Sequence, residues 1–182
     1  MSLDQKQVDP AANVKAQITA AHRPVELIVL ALAFSIAIYT IIGLVLLSTG
    51  EQESEASGFR IPFFVAALFL SLGSITLRRT QFRWIKLQAV ADARGVAGLL
   101  RHLANVTIIS AILAEVVGIL GLLISFFGGG RNEVIIFGAI GLMVALSCYP
   151  RRAAWERAAN YFAATGAVAG QGTGGEDIRS SG

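Results

Sequence analysis

Apolar and polar residues do not alternate along this chain; apolar residues run in long blocks separated by short charged stretches. Four blocks stand out, at about 27–48, 61–77, 106–127 and 134–149. The first contains no charge, the second is bounded by Arg60 and by Arg78 and Arg79, the third is interrupted only by Glu115, and the fourth ends at Pro150, Arg151 and Arg152. A bilayer core about 30 Å thick takes roughly 20 apolar residues of helix. With no water to satisfy bare backbone groups, such blocks must be helices, because a barrel would show short alternating strands. The expected fold is therefore an all-α membrane protein of four transmembrane helices arranged as two hairpins. The first block is longer than a signal-peptide core and no small-residue cleavage site follows it before the acidic loop, so it is expected to stay in the mature protein.

The connecting segments carry weaker patterns. Phe82, Ile85, Ala89 and Val90 recur at helical spacing with Arg83, Lys86 and Asp92 between them. This predicts that the second span continues as an amphipathic helix at the membrane surface, with Trp84 as an interfacial anchor. Such a helix either lies on the bilayer or docks a partner. Gly95 and Gly98 mark a break before the third span. The segment 151–164 reads as a short surface helix with Trp155 and Tyr161 turned to lipid. The Gly- and Ser-rich end reads as disordered from about 165, and the first fifteen or so residues look similarly loose. The domain reading is an amino-terminal segment 1–24, a four-helix domain 25–150 with a middle loop 78–105, and a tail 151–182. The two halves show no convincing internal repeat.

Charge sets the orientation. Lys6, Lys15 and Arg23 flank the first span; Arg78, Arg79, Arg83, Lys86, Arg94 and Arg101 fill the middle loop; Arg151, Arg152, Arg157 and Arg179 follow the fourth span. The two remaining loops hold only Arg60 and Arg131 against Glu51, Glu53, Glu55 and Glu133. By the positive-inside rule both termini and the middle loop face the cytoplasm. The net charge of +3 averages a basic face with an acidic one. The basic residues lie within a few positions of membrane ends, where insertion and anionic headgroups explain them, so no nucleic acid partner is expected. The outer loops are too short to bind a sizeable ligand.

Composition agrees: 54% of residues are hydrophobic and 15% charged, too apolar for an ordinary soluble domain. A single cysteine, Cys148, excludes a disulfide scaffold or a cysteine-rich metal site. No phosphate loop, zinc-binding histidine pair or nucleophile elbow is present, so neither enzymatic activity, nor a cofactor, nor a metal is expected. His22 and His102 read as interfacial histidines without spaced partners, and Cys148 as a packed thiol rather than an acylation site.

Glu115 stands apart. A carboxylate at the bilayer centre costs on the order of 3 kcal/mol, so this side chain is expected to be protonated and to face a partner or a wet cavity. Ser110, Ala114, Gly118, Gly121 and Ser125 form a stripe of small residues beside it, and Gly138, Gly141 and Ala145 form a matching set on the fourth span. Such stripes let helices approach closely in lipid, which predicts pairing of the third span with the fourth. Candidate hydrogen-bond partners for the acid are Ser35, Tyr39, Thr40, Ser71, Ser74 and Ser147.

The stretch Ala111-Ile112-Leu113-Ala114-Glu115-Val116-Val117-Gly118, continuing to Leu123, resembles the carboxyl-terminal helix of the proteolipid (c) subunit of rotary ATPases. In that family the glutamate carries the translocated proton or sodium ion, which the resemblance implies for Glu115. The resemblance covers about one span in four. The family's loop motif Arg-Gln-Pro is missing, its tyrosine is Leu120 here, and Phe63, Phe64, Leu68, Phe69 and Leu70 make the second span bulky where the family has small residues. Val116 stands where sodium-binding members often place Ser or Thr, so a proton is the implied ion. The four-span layout and the run Tyr149-Pro150-Arg151-Arg152 with Trp155 and Glu156 also resemble small bacterial inner-membrane proteins, a likeness that implies location but no mechanism. The readings left open are a structural or assembly subunit with a buried, protonated Glu115, a proton-binding or proton-translocating element, and a binder of lipid or small hydrophobic molecules. The expected partners are the lipid bilayer and either further copies of the chain or the other subunits of a membrane complex.

Overall fold

A computed structural model describes residues 10–49 and 57–171 of the chain. The acidic residues Glu51, Glu53 and Glu55, the first nine positions and the Gly-rich end from 172 lie outside the described residues. Five helices follow one another: α1 (Pro10–Thr49), α2 (Ser57–Gln81), α3 (Trp84–Phe126), α4 (Arg131–Ser147) and α5 (Arg152–Gln171). Four helical stretches are long and apolar enough to cross a membrane, so the chain has the character of a multi-pass membrane protein.

Two of these helices are longer than a bilayer requires. The 40 residues of α1 amount to about 60 Å, twice the hydrocarbon thickness. Positions 10 to about 15, expected from the sequence to be loose, are thus the first turns of α1, and Ile18 and His22 just after them are buried. The few charges there give no hint of helix; Val14 and Ile18 pack into the same apolar cluster as Leu99 of α3 and Trp155 of α5. The 43 residues of α3 contain one non-helical position, Gly95, with φ 65 and ψ −173. That backbone region is essentially reserved for glycine, so Gly95 divides α3 into an amphipathic piece and the span proper. The expected break at Gly95 is therefore present. The amphipathic piece, however, belongs to α3 and not to the second span, because the chain turns at Phe82 and Arg83. Most of the stretch 78–105 is helical as a result.

At the opposite end, α3 stops where Gly128 takes φ 72 and Gly129 N–H donates to the Ile124 carbonyl at 2.8 Å. This is the left-handed helix stop that glycine favours. Glu133 then caps α4 by accepting the Gly130 N–H at 2.9 Å.

The packing is centred on α3, which touches every other helix. Among the described residues α1 and α2 make no contact with each other. The first two spans are consecutive in the chain, yet α3 stands between them, so they do not pack as a hairpin. Helix α5 returns across the basic end of the bundle and packs on α1 and α3. It continues to Gln171, past the position near 165 where order was expected to end. The outward faces of α1 and α2 remain apolar, with Leu27, Phe34, Ile41, Ile61, Leu68 and Phe69 exposed. In water such a surface would be a liability; against lipid it is the expected solvent-facing side.

Candidate functional site

Glu115 lies near the middle of the apolar part of α3 and faces α1. Ser35 and Tyr39 are one turn apart on α1 and therefore share a face. The Ser35 hydroxyl donates to Glu115 Oε1 at 2.7 Å, and the Tyr39 hydroxyl donates to the same oxygen at 3.4 Å. An oxygen that accepts twice is compatible with a carboxylate or with the carbonyl oxygen of the protonated acid. The side chain is only part-buried.

The other candidate partners go elsewhere. Thr40 donates to the Ile36 carbonyl at 2.9 Å, Ser147 to the Val144 carbonyl at 2.7 Å, and Ser74 to the Ser110 carbonyl at 3.0 Å. Ser71 is buried and its hydroxyl has no hydrogen-bond partner among the described residues. Of the α2 hydroxyls, Ser74 thus ties α2 to α3 and neither serves the acid.

The small-residue stripe is shared between two neighbours. A Cβ on Gly121 would meet the Phe137 Cβ at 2.7 Å, and one on Gly141 would meet the Ala114 carbonyl at 3.2 Å, so α3 and α4 do pair here. A Cβ on Gly118 would instead meet Ile36 at 3.0 Å, and one on Gly138 would strike Thr40. Both of those contacts belong to α1. Ser110, Ala114, Ser125 and Ala145 are buried in the same region. Three helices converge where the sequence suggested a pair, and the convergence holds Ser35 and Tyr39 against Glu115.

A second constellation at the basic end was missed. His22 is buried, and its Nε2 lies 2.9 Å from the Pro150 carbonyl oxygen. A carbonyl can only accept, so Nε2 carries a hydrogen. The other ring nitrogen, Nδ1, is 3.5 Å from Glu26 Oε2, and the remaining Glu26 oxygen accepts the Tyr149 hydroxyl. Trp155 packs edge-on against the His22 ring, with centroids 5.4 Å apart and an interplanar angle of 84°. Trp155 is 2% exposed, so it does not turn to lipid as expected. Its ring fills the space between α5 and α1, where burying it gains more than interfacial anchoring would. A cavity of about 220 Å³ opens beside this chain of bonds, lined in part by Thr19, Arg23, Arg151 and Arg152. The one sequence signal was Glu26 four positions after His22, legible only if α1 were known to begin before both.

Elsewhere Trp84 stacks on Phe162 at 5.0 Å, tying the amphipathic piece of α3 to α5, and Tyr161 meets the same indole edge-on at 4.8 Å. Arg60 on α2 reaches Glu133 on α4 at 3.4 Å. Cys148 is buried, 3.9 Å from the Ser74 hydroxyl. Among the described residues no group of three or more metal-ligating side chains comes together.

No protein-family model matches the chain, and neither the curated proteins nor the solved structures contain a match.

Proposed function

We propose that this is a structural or assembly subunit of the bacterial inner membrane, with both termini and the 78–105 segment on the cytoplasmic side, in which a protonated Glu115 fastens α1 to α3. The observation that carries this reading is the convergence of the Ser35 and Tyr39 hydroxyls on one oxygen of Glu115. In lipid, interhelical hydrogen bonds of this kind are each worth about 0.6 to 2 kcal/mol and fix the register of helices that apolar packing alone leaves free to slide. A neutral glutamine preserves the acceptor; a leucine does not. Glu115→Gln is therefore expected to assemble normally and Glu115→Leu to lose thermal stability in detergent. Equal stability of the two variants sinks the structural role.

A second reading is that Glu115 loads and releases a proton. It is favoured by the part-buried position of the side chain, which leaves the carboxyl reachable from outside the bundle. A hydrophobic carbodiimide that modifies Glu115 along a titration curve supports it, as does loss of proton flux in Glu115→Gln vesicles. Unchanged flux eliminates it.

A further inference from the structure

We propose that the cleft between the basic ends of α1 and α3 is a seat for one anionic phospholipid. The proposal is independent of the role given to Glu115 and rests only on the membrane-spanning character of the chain.

Two adjoining cavities form the seat. The first, of about 450 Å³, is a mostly apolar groove lined in part by the small residues Ala20, Ala21, Ala97 and Ala104 together with Leu100, and reaching Ile28 and Ile108. The second, of about 350 Å³, is polar and is lined by Arg94, Arg101, His102 and Asn105. Ala97 and Arg101 line both, so the two spaces adjoin. No acidic side chain lines either one, and both arginines are exposed. The Nε2 of His102 has no hydrogen-bond partner among the described residues.

The groove lies at the inner edge of the expected membrane, where headgroups sit. On α1 the groove runs from Gln17 to Ile28, about 16 Å of helix, so it begins among the basic flanks and ends at Ile28 and Ile108, where the first and third spans begin. Its polar end lies at the arginines and its apolar end toward the bundle centre, the order of groups in a phospholipid. Alanines at positions where leucines would close the cleft keep room for a chain, and the guanidinium pair supplies charge complementary to a phosphate.

The test uses the full chain in phosphatidylcholine vesicles, with spin-labelled phosphatidylglycerol and spin-labelled phosphatidylcholine as probes. Phosphatidylglycerol is expected to show the larger immobilised component. Arg94→Gln and Arg101→Gln are each expected to lower that preference roughly fivefold. Ala20→Leu with Ala97→Leu, both at exposed positions, should abolish immobilisation of either lipid while leaving the thermal behaviour of Glu115→Gln and Glu115→Leu as before. Equal immobilisation of the two probes in the natural chain overturns the proposal, and so does a preference that survives the double arginine substitution. Displacement of the label by inorganic phosphate overturns it in favour of a phosphate site. Disulfide-linked dimers of Ala104→Cys formed without added lipid overturn it in favour of a second copy of the chain, the natural Cys148 being buried.

Discussion

The Nε2 of His22 lies 2.9 Å from the carbonyl oxygen of Pro150, joining positions 128 residues apart. This bond, the Glu26–Tyr149 contact and the Trp155 ring make one fastening of α1 to the α4–α5 junction. His22→Phe keeps an aromatic ring against Trp155 but loses both polar contacts; His22→Ala loses everything. The expected cost is about 1 kcal/mol for the phenylalanine variant and roughly 1 kcal/mol more for alanine. Thermal unfolding in detergent measures the difference, and a red shift of Trp155 emission in His22→Ala alone would show that the ring contact is what was lost.

Ser35 and Glu115 should be energetically coupled. A double-mutant cycle of Ser35→Ala and Glu115→Leu is expected to give an interaction energy of about 0.6 to 2 kcal/mol, because each single change removes the same bond. Thr40→Val, next to Tyr39 in the chain but on another face of α1, is expected to show no coupling to Glu115, since the Thr40 hydroxyl is bonded to the Ile36 carbonyl.

Glycines on the stripe should not be equivalent to glycines elsewhere. At Gly121 an added Cβ would sit 2.7 Å from that of Phe137, whereas at Gly73 it would meet nothing within 4 Å. Gly121→Ala is expected to cost about 1 to 3 kcal/mol through overpacking, and Gly73→Ala to be neutral or to stabilise α2 by up to about 1 kcal/mol. Melting temperatures of the two variants, compared under one detergent condition, check this.

Gly95 makes a different prediction, since space around it is open and only its backbone is restricted. Gly95→Ala is expected to cost about 1 to 3 kcal/mol or to straighten α3 by one continuous helix. Straightening would swing Trp84 away from Phe162, so a change in Trp84 emission reports it.

The spans were legible because hydropathy over some twenty residues is a strong local signal, and Gly95 because a glycine after an amphipathic stretch has few other uses. Ser35 and Tyr39 were among six hydroxyl residues that could have met Glu115; selecting them needed the rotation of α1 about its own axis. That rotation is set by Gly118 and Gly138, which admit Ile36 and Thr40, and no property of α1 itself encodes it. The same limit hid the His22 cluster. Its members come from the start of one helix and the link between two others, and the start of α1 is stabilised by tertiary contact that leaves no capping or charge pattern behind. Trp155 was misplaced because an aromatic beside arginines at a membrane end is ordinarily an interfacial anchor.

The absence of contact between α1 and α2 bears on how the protein is made. Two successive spans that lean on each other can settle as soon as the second leaves the translocation machinery. Here the two backbones do not approach each other, and both find their neighbours in α3 and α4. The contacts that hold the first two spans are therefore completed only by the later ones, α3 and α4.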